Sequence, residues 1–438
     1  MKKYVFLIIL LLYLIPVFLQ FNFTSDFHID SIELRFPRVL AGDEPHYLIL
    51  MNSLIDDKDF LIKNNYEQVE KNESCDAGFS FKGVKLDRRA MYTKDGKDYT
   101  LNLIYLDGSR RPGKENVDLE EYTQVTLVPI GLPLFSALLF FPLKDSCARE
   151  HFAIFFSLIV SLIGIYYVYK VVLHYTENEA TALLTVLAYA LGTEIWHYSK
   201  TFFTEPYLAT VFIVSYYLII IKKKDVSAGL LLGAGYLMKQ TMVIPFLIYF
   251  VYYIYKKEYR RVMCFTFTFM IVAIIFVAFN YVHFGTFTTP AKKFTYGDSI
   301  TGLYKNLFSP ITGLFPFSPL LLLSFFGVKQ FYKKNKEEFI LLGTLTITYS
   351  ALMISFAAVG GAYASRYLLP VIPFMMVLWG FAYSFSKYKR IAMLIILVSF
   401  LINLQAALIY PLFWDNPPWI VIKALLTKSD RIIEVLFS

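Results

Sequence analysis

The sequence has little charge and little cysteine. Asp, Glu, Lys and Arg make up 17% of its 438 residues, against about 25% in a typical soluble domain. So small a charged fraction, set beside the high apolar content, departs from the average soluble domain. The three cysteines, Cys75, Cys147 and Cys264, have no zinc-ligand spacing and no Cys-x-x-Cys redox motif. A Cys75–Cys147 bridge is open if both lie on one oxidising side. No metal-ligand set is visible, nor an internal repeat, a low-complexity run or a nucleotide-binding glycine loop. The net charge of +8 does not imply a nucleic-acid partner, because the basic residues form short clusters between apolar segments.

What is abundant is apolar surface. Hydrophobic residues make up 57% and aromatics 18%. Apolar runs of about 17–25 residues, the length that crosses a bilayer, recur from end to end. Candidate spans are 4–20, 151–173, 180–197, 204–221, 226–238, 241–255, 262–282, 310–328, 338–358, 367–385 and 391–411. The first run, after Lys2 and Lys3, has no small-x-small cleavage site behind it, so an uncleaved first helix is expected. The expectation is an all-α polytopic membrane protein of about 11 transmembrane helices forming one membrane domain over 1–438.

Charge asymmetry orients the chain. Lys2–Lys3, Lys170, Lys222–Lys224, "KKEYRR" (256–261), the lysines of 329–336 and "KYKR" (387–390) all face the cytoplasm if 125–143 does not cross. That segment, "VTLVPIGLPLFSALLFFPL", then becomes a juxtamembrane or re-entrant helix. A single helix over 226–255 would run about 45 Å, too long for a core of about 30 Å. A hairpin broken at "MKQT" is expected instead. Residues 21–150 become the first outer loop, with juxtamembrane helices and a polar insertion at 64–124. Within the insertion, "YTKDGKDYTLNLIYLDGSRRPG" alternates around Asp-Gly turns, which suggests a small β-hairpin.

The chemistry gathers on that outer side. In "AGDEPHYLILMNSLIDD" (41–57), Pro45 suits a first helical turn and Asp43 or Glu44 suits a cap. Tyr47, Leu50, Met51, Leu54 and Ile55 repeat at helical spacing, with Asn52, Ser53 and Asp56 opposite. This pattern predicts an amphipathic helix lying on the membrane. The two carboxylates are either caps or a general base with a positioning neighbour. "EIWHYSKTFFTEPYL" (194–208) crowds Glu194, His197, Lys200 and Glu205 into one outer turn. Lys200 is expected in solvent there, and Glu205 either caps a helix or faces a cavity. Lys239 is a cation near membrane depth, a costly placement that usually serves binding. Arg366, in "GGAYASRYLLPVIP", suits a phosphate or an interface anchor beside Tyr363 and Tyr367. Lys292 and Lys293, in "HFGTFTTPAKKFTYGDS", add positive charge. An acidic pair, cations and an apolar bundle on one side match the transfer of a group from a phosphate-linked lipid.

In this order the motifs resemble the GT-C class of membrane glycosyltransferases, in particular the branch of protein O-mannosyltransferases and the lipid A aminoarabinose transferase. The resemblance rests on Asp43-Glu44, on Glu205 in "FFTEP", on "GLLLGAGYLMKQT", on "SRYLLPVIP" and on "SPITGLFPFSPLLLL" (309–323). Where the family often carries His-Pro-Pro, this chain reads "TLVPIGLPLF". The resemblance implies an inverting transferase in the cytoplasmic membrane with an extracytoplasmic active site. Its donor would be a polyprenyl-phosphate sugar, and its acceptor hydroxyl would sit on a lipid, glycan or protein. Asp43 would act as base and Glu44 would position or assist it. Arg366, Lys239, Lys292 and Lys293 would hold the donor phosphate. His46, Glu205 and Tyr296 would contact substrate. No cofactor is implied with certainty, and a divalent metal stays open. The rival reading is a transporter or flippase for a lipid-linked or anionic substrate, since broken helices and intramembrane charge also suit that. A catalytically silent membrane scaffold is the third.

Overall fold

The computed structural model describes residues 2–23, 29–34, 43–65, 90–94, 98–101, 123–126, 128–146, 148–287, 299–355, 363–385 and 389–408. Helix α1 spans Lys2–Phe18, α2 Glu44–Asp56, α3 Gly131–Phe140 and α4 Ala148–Thr176. Next come α5 Glu179–Gly192, the single turn α6 Ile195–Tyr198, and α7 Glu205–Tyr216. Helices α8 Asp225–Met238, α9 Val243–Tyr255 and α10 Tyr259–Phe284 follow. The last three are α11 Lys336–Ser355, α12 Ile372–Phe385 and α13 Lys389–Leu408. Among the described residues, five helices are long and apolar enough to cross a membrane: 148–176, 259–284, 336–355, 366–383 and 390–408. Five further apolar helices are shorter. The protein is thus a membrane-embedded helical bundle.

The first loop adds short strands. β1, Leu19–Phe23, pairs antiparallel with β2, Ile29–Leu34. β3, Ala90–Lys94, lies between β4, Asp98–Leu101, and β5, Thr123–Thr126. The β3–β4 register puts Tyr92 opposite Thr100 and Lys94 opposite Asp98, within the stretch whose alternation suggests a hairpin.

The basic clusters meet at one end of the bundle. Lys2 and Lys170 both lie over the Tyr166 ring. Lys334 reaches Glu177 and the Tyr175 carbonyl, and Lys256 pairs with Glu337. Arg261 grips Asp225 through two nitrogens, at 2.9 and 2.8 Å, and also pairs with Glu258. The Tyr253 hydroxyl donates to the same Asp225, so α9 returns to the level where α8 began. The hairpin breaks where Lys239 takes an extended conformation (φ −161°) before a short 3₁₀ turn, Gln240–Met242. α8 and α10 then run parallel, Asp225 beside Arg261 and Tyr236 beside Phe276. Gly229 and Gly233, four apart, let them touch, because a Cβ at Gly229 would strike Thr268 and the Phe265 carbonyl. Small residues at this spacing are the usual means of close helix approach in a bilayer.

Two stretches differ from their sequence patterns. The expected span 310–328 is not one α-helix. It forms a turn at Leu314–Phe317 and a nine-residue 3₁₀ helix, Pro319–Gly327, before a helix at Val328–Lys334. Pro316 and Pro319 lack the amide hydrogens that a continuous helix would use there. Helix α2 does not lie on a surface with one wet face, since every residue from Glu44 to Met51 is buried. Its polar side is docked instead. Asp56 receives Arg149 Nη1 and Nη2 at 2.6 and 2.5 Å, and Asn52 donates to Glu150 at 2.5 Å. Helix α3, the heart of segment 125–143, is about 15 Å long at ten residues, half a membrane core. Gly131 starts it against the backbone of Leu237 and Met238 at the hairpin tip, where a Cβ would come within 2.5 Å.

Candidate functional site

The end of the bundle opposite the basic clusters gathers four charged side chains from four separate segments. Asp43 precedes α2, Glu205 opens α7, Lys239 breaks the α8–α9 hairpin, and Arg366 opens a 3₁₀ turn, Arg366–Val371, ahead of α12. Lys239 Nζ lies 3.0 Å from Glu205 Oε1. Arg366 Nη2 lies 3.3 Å from Asp43 Oδ2, and its Nε lies 3.8 Å from Glu205 Oε1. Two carboxylates face two cations, so the cluster is formally neutral, as groups removed from water must nearly be.

Asp43 occupies the position before the first turn of α2, yet its side chain makes no cap hydrogen bond. Its carboxylate points to Arg366 instead. The capping explanation of Asp43 therefore fails, and the Pro45 turn starts the helix without it. Exposure is graded across the cluster. The side chains of Glu205 and Arg366 are 4% and 6% exposed, while Lys239 keeps 19% and Asp43 27%. The accessible pair is thus one carboxylate and one ammonium.

Aromatic rings shape the cations. The Arg366 guanidinium lies 4.4 Å from the Phe203 ring centroid and 5.0 Å from that of Tyr367. Lys239 Nζ lies 4.3 Å above the same Tyr367 ring, and Arg366 Nη2 also donates to the Tyr367 hydroxyl at 3.2 Å. Such stacking fixes a guanidinium plane without using its N–H groups. The buried Nε–H of Arg366 finds no hydrogen-bond acceptor among the described residues. An unmade bond of this kind costs about 1–3 kcal/mol, more for a charged group. The spare donor is what an anion would complete.

Glu44 does not join the four. It is fully buried, and its Oε1 accepts the Phe202 backbone N–H at 2.6 Å. His46 is buried within α2 at 6% exposure. Lys292, Lys293 and Tyr296 lie outside the described residues, as do Cys75 and Cys147. Tyr363, beside the candidate anchor Arg366, is fully buried and accepts the Tyr198 hydroxyl on its carbonyl at 2.5 Å. Lys200 is not in solvent either. It is 4% exposed, and its ammonium donates to the Ala407 carbonyl. Glu194 is buried with both oxygens lacking a hydrogen-bond donor among the described residues. The sequence pattern names Tyr367 only as a neighbour of Arg366 and does not single out Phe203, although both rings pack on the guanidinium. Each adjoins or nearly adjoins a candidate charge in "FFTEP" and "SRYLL", the one available signal. No group of three or more His, Cys, Asp or Glu able to hold a metal occurs among the described residues.

The geometry defines a helical membrane bundle with a buried, formally neutral cluster of acids and cations at one end. Comparison with known proteins finds the following likenesses. The profile of Glycosyltransferase family 87 matches residues 132–307, less than half of the chain. The structure is similar to ArnT from Cupriavidus metallidurans in the apo state, with a TM-score of 0.54 and 12% identity over 90% of this chain and 61% of that one. It is similarly related to ArnT from the same organism bound to undecaprenyl phosphate, with a TM-score of 0.52 and 13% identity over 89% of this chain and 61% of that one. The chain thus spans about three-fifths of the length of these structures. No curated protein matches it. The resemblance to the GT-C class read from the motifs is borne out at the level of the fold.

Proposed function

We propose that the chain is an inverting glycosyltransferase of the cytoplasmic membrane. It moves a sugar from a polyprenyl-phosphate donor to an acceptor hydroxyl on a lipid, glycan or protein at the outer face. The observation that carries this reading is Arg366, a buried guanidinium held by rings and acids whose Nε–H has no acceptor among the described residues. Lys239 stands across the same Glu205. The two cations suit a phosphate leaving group, one as a planar fork and the other as a mobile point charge. The ArnT structure with bound undecaprenyl phosphate supports a donor of this class.

In the proposed reaction Asp43 accepts the acceptor's hydroxyl proton. The acceptor oxygen bonds to the anomeric carbon as the carbon–oxygen bond to phosphate breaks. The electron pair of that bond stays on the phosphate oxygen, opposite Arg366 and Lys239. Glu205 keeps both cations in place before the donor arrives. The graded exposure supports the inverting reading. Glu205 is committed to two cations and Glu44 to a backbone amide, which leaves Asp43 as the carboxylate of the cluster an incoming acceptor can reach. One available carboxylate suits a single displacement, in which it serves as base and no glycosyl-enzyme forms.

The outer-face placement rests on the basic clusters lying at the opposite end. The test is incubation of purified protein with polyprenyl-phosphate sugars and measurement of released polyprenyl phosphate. Release that needs an acceptor supports the reading. Lipid translocation across vesicles without release would favour the transport alternative.

A further inference from the structure

The loop between α6 and α7 carries more of the site than the four charges show. Glu44 fixes the Phe202 amide. The next residue, Phe203, is the ring under Arg366. Two residues on is Glu205, which holds Lys239. Whatever holds Phe202 therefore sets both cations at once.

On its other side the loop is tied to the end of α13. The Lys200 ammonium donates to the Ala407 carbonyl, and Nδ1 of His197 lies 2.9 Å from the Ala406 carbonyl, which makes that nitrogen the donor. Carbonyls in the last turn of a helix have no partner within it and carry its negative dipole end, so a cation is well placed there. Glu44 is the charge that acts on Lys200 from α2. The ammonium thus donates to the α13 terminus and feels the charge of the carboxylate that grips Phe202.

We propose that Lys200 is a positioning residue: by linking the Ala407 carbonyl of α13 to the charge of Glu44, it holds the Phe202–Glu205 loop, and with it Arg366 and Lys239, in the arrangement that receives the donor phosphate. This rests on the transferase reading for its consequence in turnover, but not for the geometry it asserts.

The charge of Lys200 is open to titration. Burial lowers its pKa from the ordinary lysine range to about 7, opposed by Glu44. His197, the neighbouring titratable group on the α6 side, is driven down to about 3 by burial and stays neutral above that. Ala407 offers a neutral carbonyl. In the unfolded chain the lysine titrates near 10.4. Between about pH 7 and 10 the unfolded state therefore binds more protons, and stability rises with pH across that window. The link is lost over the same window, because the ammonium is lost. Stability and turnover should move in opposite directions above pH 7, which a purely structural lysine would not produce.

Two measurements test this. Hydrogen exchange of the peptide covering 199–205 needs no substrate. Lys200→Met and Glu44→Gln should each speed exchange at the Phe202 amide about tenfold, and the double variant no further. Turnover of wild type should fall between pH 7 and 9 while its melting temperature rises. Lys200→Arg, which keeps its charge, should restore turnover at pH 9, and Lys200→Met should stay low at every pH. Unchanged exchange in Lys200→Met, or an alkaline fall in turnover that Lys200→Arg leaves in place, overturns the proposal. If no donor is turned over, the transferase reading fails while exchange still decides the role of Lys200.

Discussion

Replacing Asp43 with Asn separates structure from chemistry at this site. The change keeps shape and removes one negative charge. No side-chain cap is lost, because Asp43 makes none. The ion pair with Arg366 is lost, but it is long at 3.3 Å and its carboxylate is 27% exposed. A charged hydrogen bond with one buried partner is worth about 1.5–3 kcal/mol. Arg366 keeps Glu205 near its Nε and Tyr367 as acceptor, so the guanidinium is not stranded and the stability cost should fall within that range. Loss of a general base lowers turnover about 100–10,000-fold, or roughly 3–5 kcal/mol of activation free energy. The two effects are read on separate observables, melting and turnover, in the same protein. The assay is polyprenyl phosphate release at saturating donor, beside a melting curve and donor binding for the same preparation. Turnover within about threefold of wild type, in protein that melts normally, would refute Asp43 as the base.

Arg366→Ala and Lys239→Ala should each weaken polyprenyl phosphate binding by roughly tenfold or more, from about 1.5–3 kcal/mol per charged hydrogen bond; equal binding in both, by titration calorimetry, would move the phosphate site elsewhere. In a background with the native cysteines replaced, a cysteine at the exposed Asn64 should react with an impermeant reagent from outside intact cells, and one at the exposed Lys334 should not; the reverse pattern would invert the orientation. Gly229→Ala forces a methyl against Thr268 and the Phe265 carbonyl and should cost about 1–3 kcal/mol in unfolding measurements in detergent, with a lower melting temperature; an unchanged melting temperature would show that α8 and α10 are not packed this closely.

The class of this protein is legible in one dimension because the membrane demands it there. A run of apolar residues long enough to cross needs no partner to be recognised, and lysines that cannot cross easily record which ends lie together. The same demand makes Asp43, Glu205, Lys239 and Arg366 stand out as charges in apolar surroundings, where charge needs a partner. Which partner each one has is a different matter. Asp43 meets Arg366 across 323 positions of sequence, and a carboxylate before a helical turn reads equally as a cap until that contact exists. Lys200 reads as a solvated loop lysine because its partners, the Ala407 carbonyl and Glu44, are supplied by the end of α13 and the start of α2. The wet face of α2 dries because Arg149 and Glu150 dock on it. Composition and local pattern determined a polytopic membrane bundle and the candidate charges; the tertiary structure alone decided which charges meet one another and which pair elsewhere, because burial and pairing belong to residues that meet in space.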